Sequence, residues 1–282
     1  MKKKLIGLAA VALLAGLMVT TAWGQDFQKT YALPAGGSIS ISNVSGEISV
    51  TGYNGAVVSV QAYREGRDKE MVQVEDLSTS NQVSLRAQYP RGAGNYDASV
   101  RFVIQVPSGS NYKYDKLSTA SGDISVTNVG GEIGVSTASG EITISQVVGS
   151  VIAKTASGDV KISQVHGNVQ ANAASGDVTV LGIAGTVSAN TASGDVDVEL
   201  SRIEGSGELK FSSASGDVTV KAPAQLDAQV QMSTASGSIQ SDFPLTIEDL
   251  EGHGKKAYGT LGSGATKLNI STASGDVRLV RS

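Results

Sequence analysis

Five carboxylates recur at one interval: Asp123, Glu141, Asp159, Asp177 and Asp195 stand 18 residues apart. Stacked in space, such a column is a candidate row of cation sites, most naturally for calcium, which gathers several oxygen ligands. Paired carboxylates also serve as acid and base in glycoside hydrolysis. That chemistry needs locally distinct surroundings that drive two pKa values apart, whereas each acid here repeats its neighbour. The plainer reading is that each carboxylate accepts backbone N–H bonds within its own Ser-Gly turn.

Four residues before each acid lies a hydroxyl column, Thr119, Thr137, Thr155 and Thr191, broken only by Ala173. Hydrogen bonds along a threonine column stabilise stacking, and the adjacent charges disfavour the ice-binding use of such an array. His166 and His253 are far apart in the chain, and there is no cysteine. No nucleophile–base pair, histidine cluster or phosphate-binding glycine loop is present, so neither an enzyme nor a cofactor is expected.

The elements that position these columns follow from glycine. Gly122, Gly131, Gly140, Gly149, Gly158, Gly167, Gly176, Gly185 and Gly194 fall at every ninth residue, and alternate ones carry Ser-Gly-Asp or Ser-Gly-Glu. They are read as structural turns, where positive φ or close backbone approach excludes a Cβ. Apolar residues two and four places after each glycine, such as Ile142 and Ile144, give the period-two signature of a half-buried strand. A third inward position, seven after the glycine, alternates large and small: Val147, Ala156, Val165, Ala174. Nine residues leave no room for a helix. The sequence therefore predicts an all-β parallel β-solenoid, or β-helix, whose 18-residue coils consist of two nine-residue halves. Asn128, Gln146 and Gln164 form a column whose amides would bond up and down the stack.

The calcium β-roll is also built of nonapeptides, with a Gly-Gly-x-Gly-x-Asp unit in every half. One glycine per half and a carboxylate in alternate halves match it poorly.

Residues 1–24 read as a signal peptide: Lys2, Lys3 and Lys4, an apolar run over 5–19, and a small-x-small site ending at Gly24. No transmembrane segment is expected after its removal. The expected location is exported: periplasmic, cell-surface or secreted. A net charge of -4 argues against nucleic acid as a partner. Residues 25–62 are expected to form the first coils. Residues 63–117, with scattered charges and short alternating strands, read as an antiparallel β insertion packed on the solenoid. Residues 118–282 form the main solenoid, with loops near 204–207 and 222–225, a polar loop over 240–264, and a closing coil whose Arg278 and Arg281 would protect an exposed terminal edge.

Repeated Thr-Ala-Ser-Gly-Asp units, at 119–123, 155–159, 191–195 and 272–276, the strand end Val106-Pro107 and the glycine-rich final coil resemble a bacterial exported family of Ser-Gly-Asp-repeat β-solenoids of unknown function, labelled as adhesins. The resemblance covers roughly residues 27–280 and implies a β-solenoid in the envelope or outside the cell, with no catalytic residues to carry over. The expected function is a non-enzymatic surface protein presenting a repetitive face to a protein or glycan ligand. A periplasmic scaffold and a calcium-binding acidic ladder are the alternatives.

Overall fold

The computed structural model describes residues 26–90, 96–201, 207–250 and 254–282. The signal-peptide reading of 1–24 and His253 lie outside the described residues, as does most of the 204–207 loop. In chain order the first strands are β1 (Phe27–Tyr31), β2 (Ser38–Ser42), β3 (Ile48–Tyr53), β4 (Val58–Glu65), β5 (Gln73–Asp76), β6 (Gln82–Gln88), β7 (Ser99–Pro107) and β8 (Asn111–Ser121). The regular middle comprises β9 (Ile124–Ser139), β10 (Ile142–Val148), β11 (Val151–Ser157), β12 (Val160–His166), β13 (Val169–Ser175), β14 (Val178–Ala184), β15 (Val187–Ser193) and β16 (Val196–Glu199). The last are β17 (Glu208–Ser215), β18 (Val218–Ala222), β19 (Ala228–Ser236), β20 (Ile239–Ser241), β21 (Thr246–Leu250), β22 (Gly254–Leu261), β23 (Thr266–Ser274) and β24 (Val277–Arg281).

The strands stack as a parallel β-solenoid with two faces. The first face runs β6-β2-β8-β9-β11-β13-β15-β17-β23-β19. The second runs β7-β3-β9-β10-β12-β14-β16-β18-β24-β20. The long strand β9 turns the corner and belongs to both. Register is set by the period of 18, so Ile142 pairs with Val160 and Val151 with Val169.

Stacking order departs from chain order at both ends. The coil formed by β2 and β3 lies between the later coil β6–β7 and the coil begun by β8. Likewise β23–β24, last in the chain, lies between β17–β18 and β19–β20. The ladders are then closed by antiparallel strands: β4 and β1 beyond β7, β5 beyond β6, and β22 and β21 beyond β19. The loop expected over 240–264 is thus partly the hairpin β21–β22.

The antiparallel insertion expected over 63–117 is corrected accordingly. Strands β6, β7 and β8 are parallel rungs, because Val83 and Leu85 continue the inward columns of Ile39 and Ile41, as Phe102 and Ile104 continue those of Ile48 and Val50. Antiparallel strand pairing at this end joins β1 with β4, β4 with β7 and β5 with β6; β1 lies within the segment 25–62 expected to be coil, and β4 straddles its end.

The core is one thin layer between the faces, aliphatic in the regular middle and joined by Phe102, Tyr112, Tyr114 and Phe211 towards the ends. Ile142, Ile144 and Val147 point inward from one side, and Val151, Ala153 and Thr155 from the other. Each buried aliphatic side chain contributes roughly 1.5 kcal/mol or more. The expected alternation at the third inward position is corrected. Ala138, Ala156, Ala174 and Ala192 are exposed, and the residue before each, a threonine or Ala173, points inward. The cause lies at Asn128, Gln146 and Gln164, which have φ of 58, 55 and 54°. A left-handed residue there shifts the alternation by one in that half-coil, while the other half keeps strict period two.

Candidate functional site: the Ser-Gly-Asp edge and the outward faces

The Ser-Gly-Asp corners stack into a continuous edge. Gly158 illustrates why glycine is required: its φ is +133°, and a Cβ would run into the carbonyl oxygen of Gly140 in the next coil. The hydroxyl column closes the same corner from inside. Thr191 donates to the Gly176 carbonyl at 3.0 Å, Ser213 to Gly194 at 2.8 Å and Thr272 to Gly216 at 2.8 Å. These hydroxyls are buried, so they face carbonyls rather than one another or solvent. At the N-terminal end buried Asn43 takes this role, donating to Val100 O at 2.7 Å and Gly46 O at 3.1 Å.

Asp123, Glu141, Asp159, Asp177 and Asp195 are brought into one column, but their hydrogen bonds differ from the expectation. Each aspartate accepts from the neighbouring coil rather than from its own turn: Asp123 from the Glu141 N–H at 2.8 Å, Asp159 from Asp177 at 3.0 Å, Asp177 from Asp195 at 2.8 Å and Asp195 from Asp217 at 2.8 Å. Glu141, one methylene longer, accepts from Thr143 Oγ1 at 2.9 Å and pairs with Lys161 at 3.1 Å. The column continues through Asp217 and Asp276 and ends at Ser238, whose N–H donates to Asp276. Repulsion between like charges about one strand spacing apart is met by these N–H bonds and, at one end, by Arg278. Its guanidinium lies 2.8 Å from Asp217 and 2.6 Å from Asp276. Backbone N–H donation and the Arg278 guanidinium hold both carboxyls below the usual range. Asp197, on the outward face beside the column, is pushed up by burial and then by the charges of Asp195 and Asp177.

Arg278 therefore neutralises the ladder from an internal strand, since β24 lies between β18 and β20. Its expected role at an exposed edge is corrected. Among the described residues, no group of three or more His, Cys, Asp or Glu is placed to hold a metal ion. No helix among them is long and apolar enough to cross a membrane. His166 occupies an exposed corner.

The outward faces carry rows of polar side chains at strand spacing. On the second face Thr127 and Ser145 share a hydrogen bond of 3.1 Å. On the first, Asn190 donates to Asn172 at 3.2 Å and Ser212 to Asn190 at 2.7 Å. At the column expected to form an amide ladder, Asn128 donates to the Gly52 carbonyl at 3.3 Å, and among the described residues no hydrogen bond links it with Gln146 or Gln164. Of the tyrosines in 63–117, Tyr112 and Tyr114 fill the core, and Arg101 lies over Tyr63 at 4.4 Å. Among the described residues the exposed aromatic ring is Tyr258, in the capping hairpin. Its strand falls within 240–264, expected as a polar loop; the alternation of Lys256, Tyr258 and Thr260 with Ala257, Gly259 and Leu261 is the signal that would have marked it.

This two-faced stack with a glycine edge is matched by a known family over residues 38–280, nearly the whole described solenoid. The chain belongs to the Toastrack DUF4097 family. Two crystal structures are similar to this member of the family. A candidate adhesin from Bacteroides fragilis NCTC 9343 is 15% identical, with a TM-score of 0.47 and coverage of 90% of this chain and 96% of the other. A candidate cell adhesion protein from Clostridium sporogenes ATCC 15579 is 10% identical, with a TM-score of 0.28 and coverage of 91% and 99%. No curated protein matches the chain.

Proposed function

We propose that the protein is a non-enzymatic, exported envelope or surface protein that binds through the outward faces of its solenoid, as an adhesin does. The observation that carries this reading is the regularity of those faces. Hydroxyl and amide side chains stand in register from coil to coil, as in Asn172, Asn190 and Ser212. Such a surface is pre-ordered by its backbone, so binding loses little side-chain freedom per contact. That Asp159, Asp177 and Asp195 each accept a backbone N–H from the neighbouring coil supports a structural rather than a catalytic role for them.

The test is protease accessibility of the tagged protein on intact cells, in cells with the outer barrier opened, and in culture supernatant. Digestion on intact cells or release into the medium supports the surface reading. Protection until the barrier is opened would replace it with a periplasmic scaffold, whose partner cross-linking would capture.

A further inference from the structure

Tyr258 is the only exposed aromatic residue among the described ones, at 39%. It projects from β22 in the outward row Lys256, Tyr258, Thr260, opposite Gln231 of β19 on one side and Thr246 of β21 on the other. Its hydroxyl donates to Glu248 Oε1 at 2.6 Å, and the Lys256 ammonium lies 5.8 Å from the ring centroid. Gln229, Gln231, Lys256, Tyr258 and Thr260 border a shallow depression of about 220 Å³.

From this arrangement we infer a carbohydrate subsite for a neutral hexopyranose unit of a polysaccharide. The inference rests on the binding reading above and gives that reading a ligand class. A tyrosine ring offers an apolar face with a polar tip, which suits the C–H face of a pyranose. Glutamine amides both donate and accept, as sugar hydroxyls do. The Glu248 bond fixes the ring before binding, which reduces the ordering lost on association. A protein hot spot would call for an aromatic in a desolvated pocket, whereas this ring stands on a wet, amide-rich sheet. Lys256 and Glu248 balance in charge, so the site does not select a uronate. The row continues inward from Gln231 to Asn269 and Lys210 on adjacent strands, which gives further sugar units a polar track along the solenoid.

The test is affinity electrophoresis of the purified protein in native gels cast with a β-glucan, an α-glucan or a galactomannan, with polygalacturonate as the charged comparison. Retardation is expected in at least one neutral polymer. Y258A should weaken it at least tenfold with an unchanged melting midpoint, while Y258F retains most of it. Should Y258A lower the midpoint, Q231A decides by the same readout and is expected to weaken retardation. No retardation in any neutral gel, equal retardation by the substituted protein, or binding to polygalacturonate alone would overturn the subsite. Cellular location is read separately, so a periplasmic protein that binds a neutral glycan through Tyr258 sinks the surface reading and leaves the subsite standing.

Discussion

Asp276 donates its backbone N–H to Oδ1 of Asp217 at 2.8 Å, across 59 positions of chain, and accepts from the N–H of Ser238, 38 positions earlier in sequence. The last coil of the chain is thus held between two earlier ones. Deleting residues 266–282 would expose the ladders of β17–β18 and β19–β20 together and strand the capping hairpin. The truncated protein is expected to lose cooperative unfolding and to aggregate, by circular dichroism and size exclusion. A folded monomer lacking only one coil's worth of signal would refute the intercalated order.

Arg278 bridges Asp217 and Asp276, and R278Q should lower the melting midpoint at pH 7. The sign with pH follows from the depressed carboxyls of Asp217 and Asp276. A carboxyl depressed in the folded state adds stability above its unfolded value of about 3.9 and loses it as pH falls through the folded value. The gap between wild type and R278Q should therefore close on acidification below about pH 4. A gap that stays constant down to low pH would assign Arg278 a packing role only.

Glycines of the two kinds should behave oppositely. Gly158→Ala places a Cβ against the Gly140 carbonyl at φ +133°, and a loss of several kcal/mol, on the order of 4, is expected in urea unfolding. Gly182, at φ +66°, has nothing nearer than 3.9 Å to an added Cβ. It continues the left-handed column of Asn128, Gln146 and Gln164. Gly182→Asn is expected to be neutral or to stabilise by up to about 1 kcal/mol.

Ala173 interrupts the hydroxyl column where Thr155 and Thr191 flank it. Ala173→Thr supplies a donor for the Gly158 carbonyl and should stabilise by about 1 kcal/mol. Thr155→Val removes the donor to Gly140 and should destabilise by a similar amount, about 1 kcal/mol. Equal unfolding midpoints for all three proteins would show that the hydroxyls contribute nothing net.

The carboxylate ladder commits an oxygen of each aspartate to a backbone N–H. The thermal midpoint is therefore expected to be the same in excess chelator and in millimolar calcium. A rise with calcium would assign the remaining oxygens to cation sites.

What the sequence determined by itself is the repeat. A period of 18 with glycine corners and aliphatic alternation has one compact solution, because equivalent residues must stack and a Cβ at the corner meets a carbonyl. The carboxylate and hydroxyl columns followed directly from it. The left-handed column reads in the sequence as an amide column at Asn128, Gln146 and Gln164, and its backbone conformation emerges only in the structure, although Asn and Gly182 are types that favour positive φ. Its effect on which alanines face outward required the phase shift to be followed residue by residue.

Tertiary structure alone decided the order of stacking at the ends, the partners of Arg278 and the exposure of Tyr258. Neighbours along a solenoid are chosen by matching inward columns, and any coil with the right alternation can pair with any other. Residues 59 apart can therefore compete with residues 18 or 21 apart, because the longer loop adds only about 1 kcal/mol of closure entropy. Closure of the unpaired edges then selected β4 with β1, β5, and the β21–β22 hairpin as caps, and that closure set Tyr258 on the outward face.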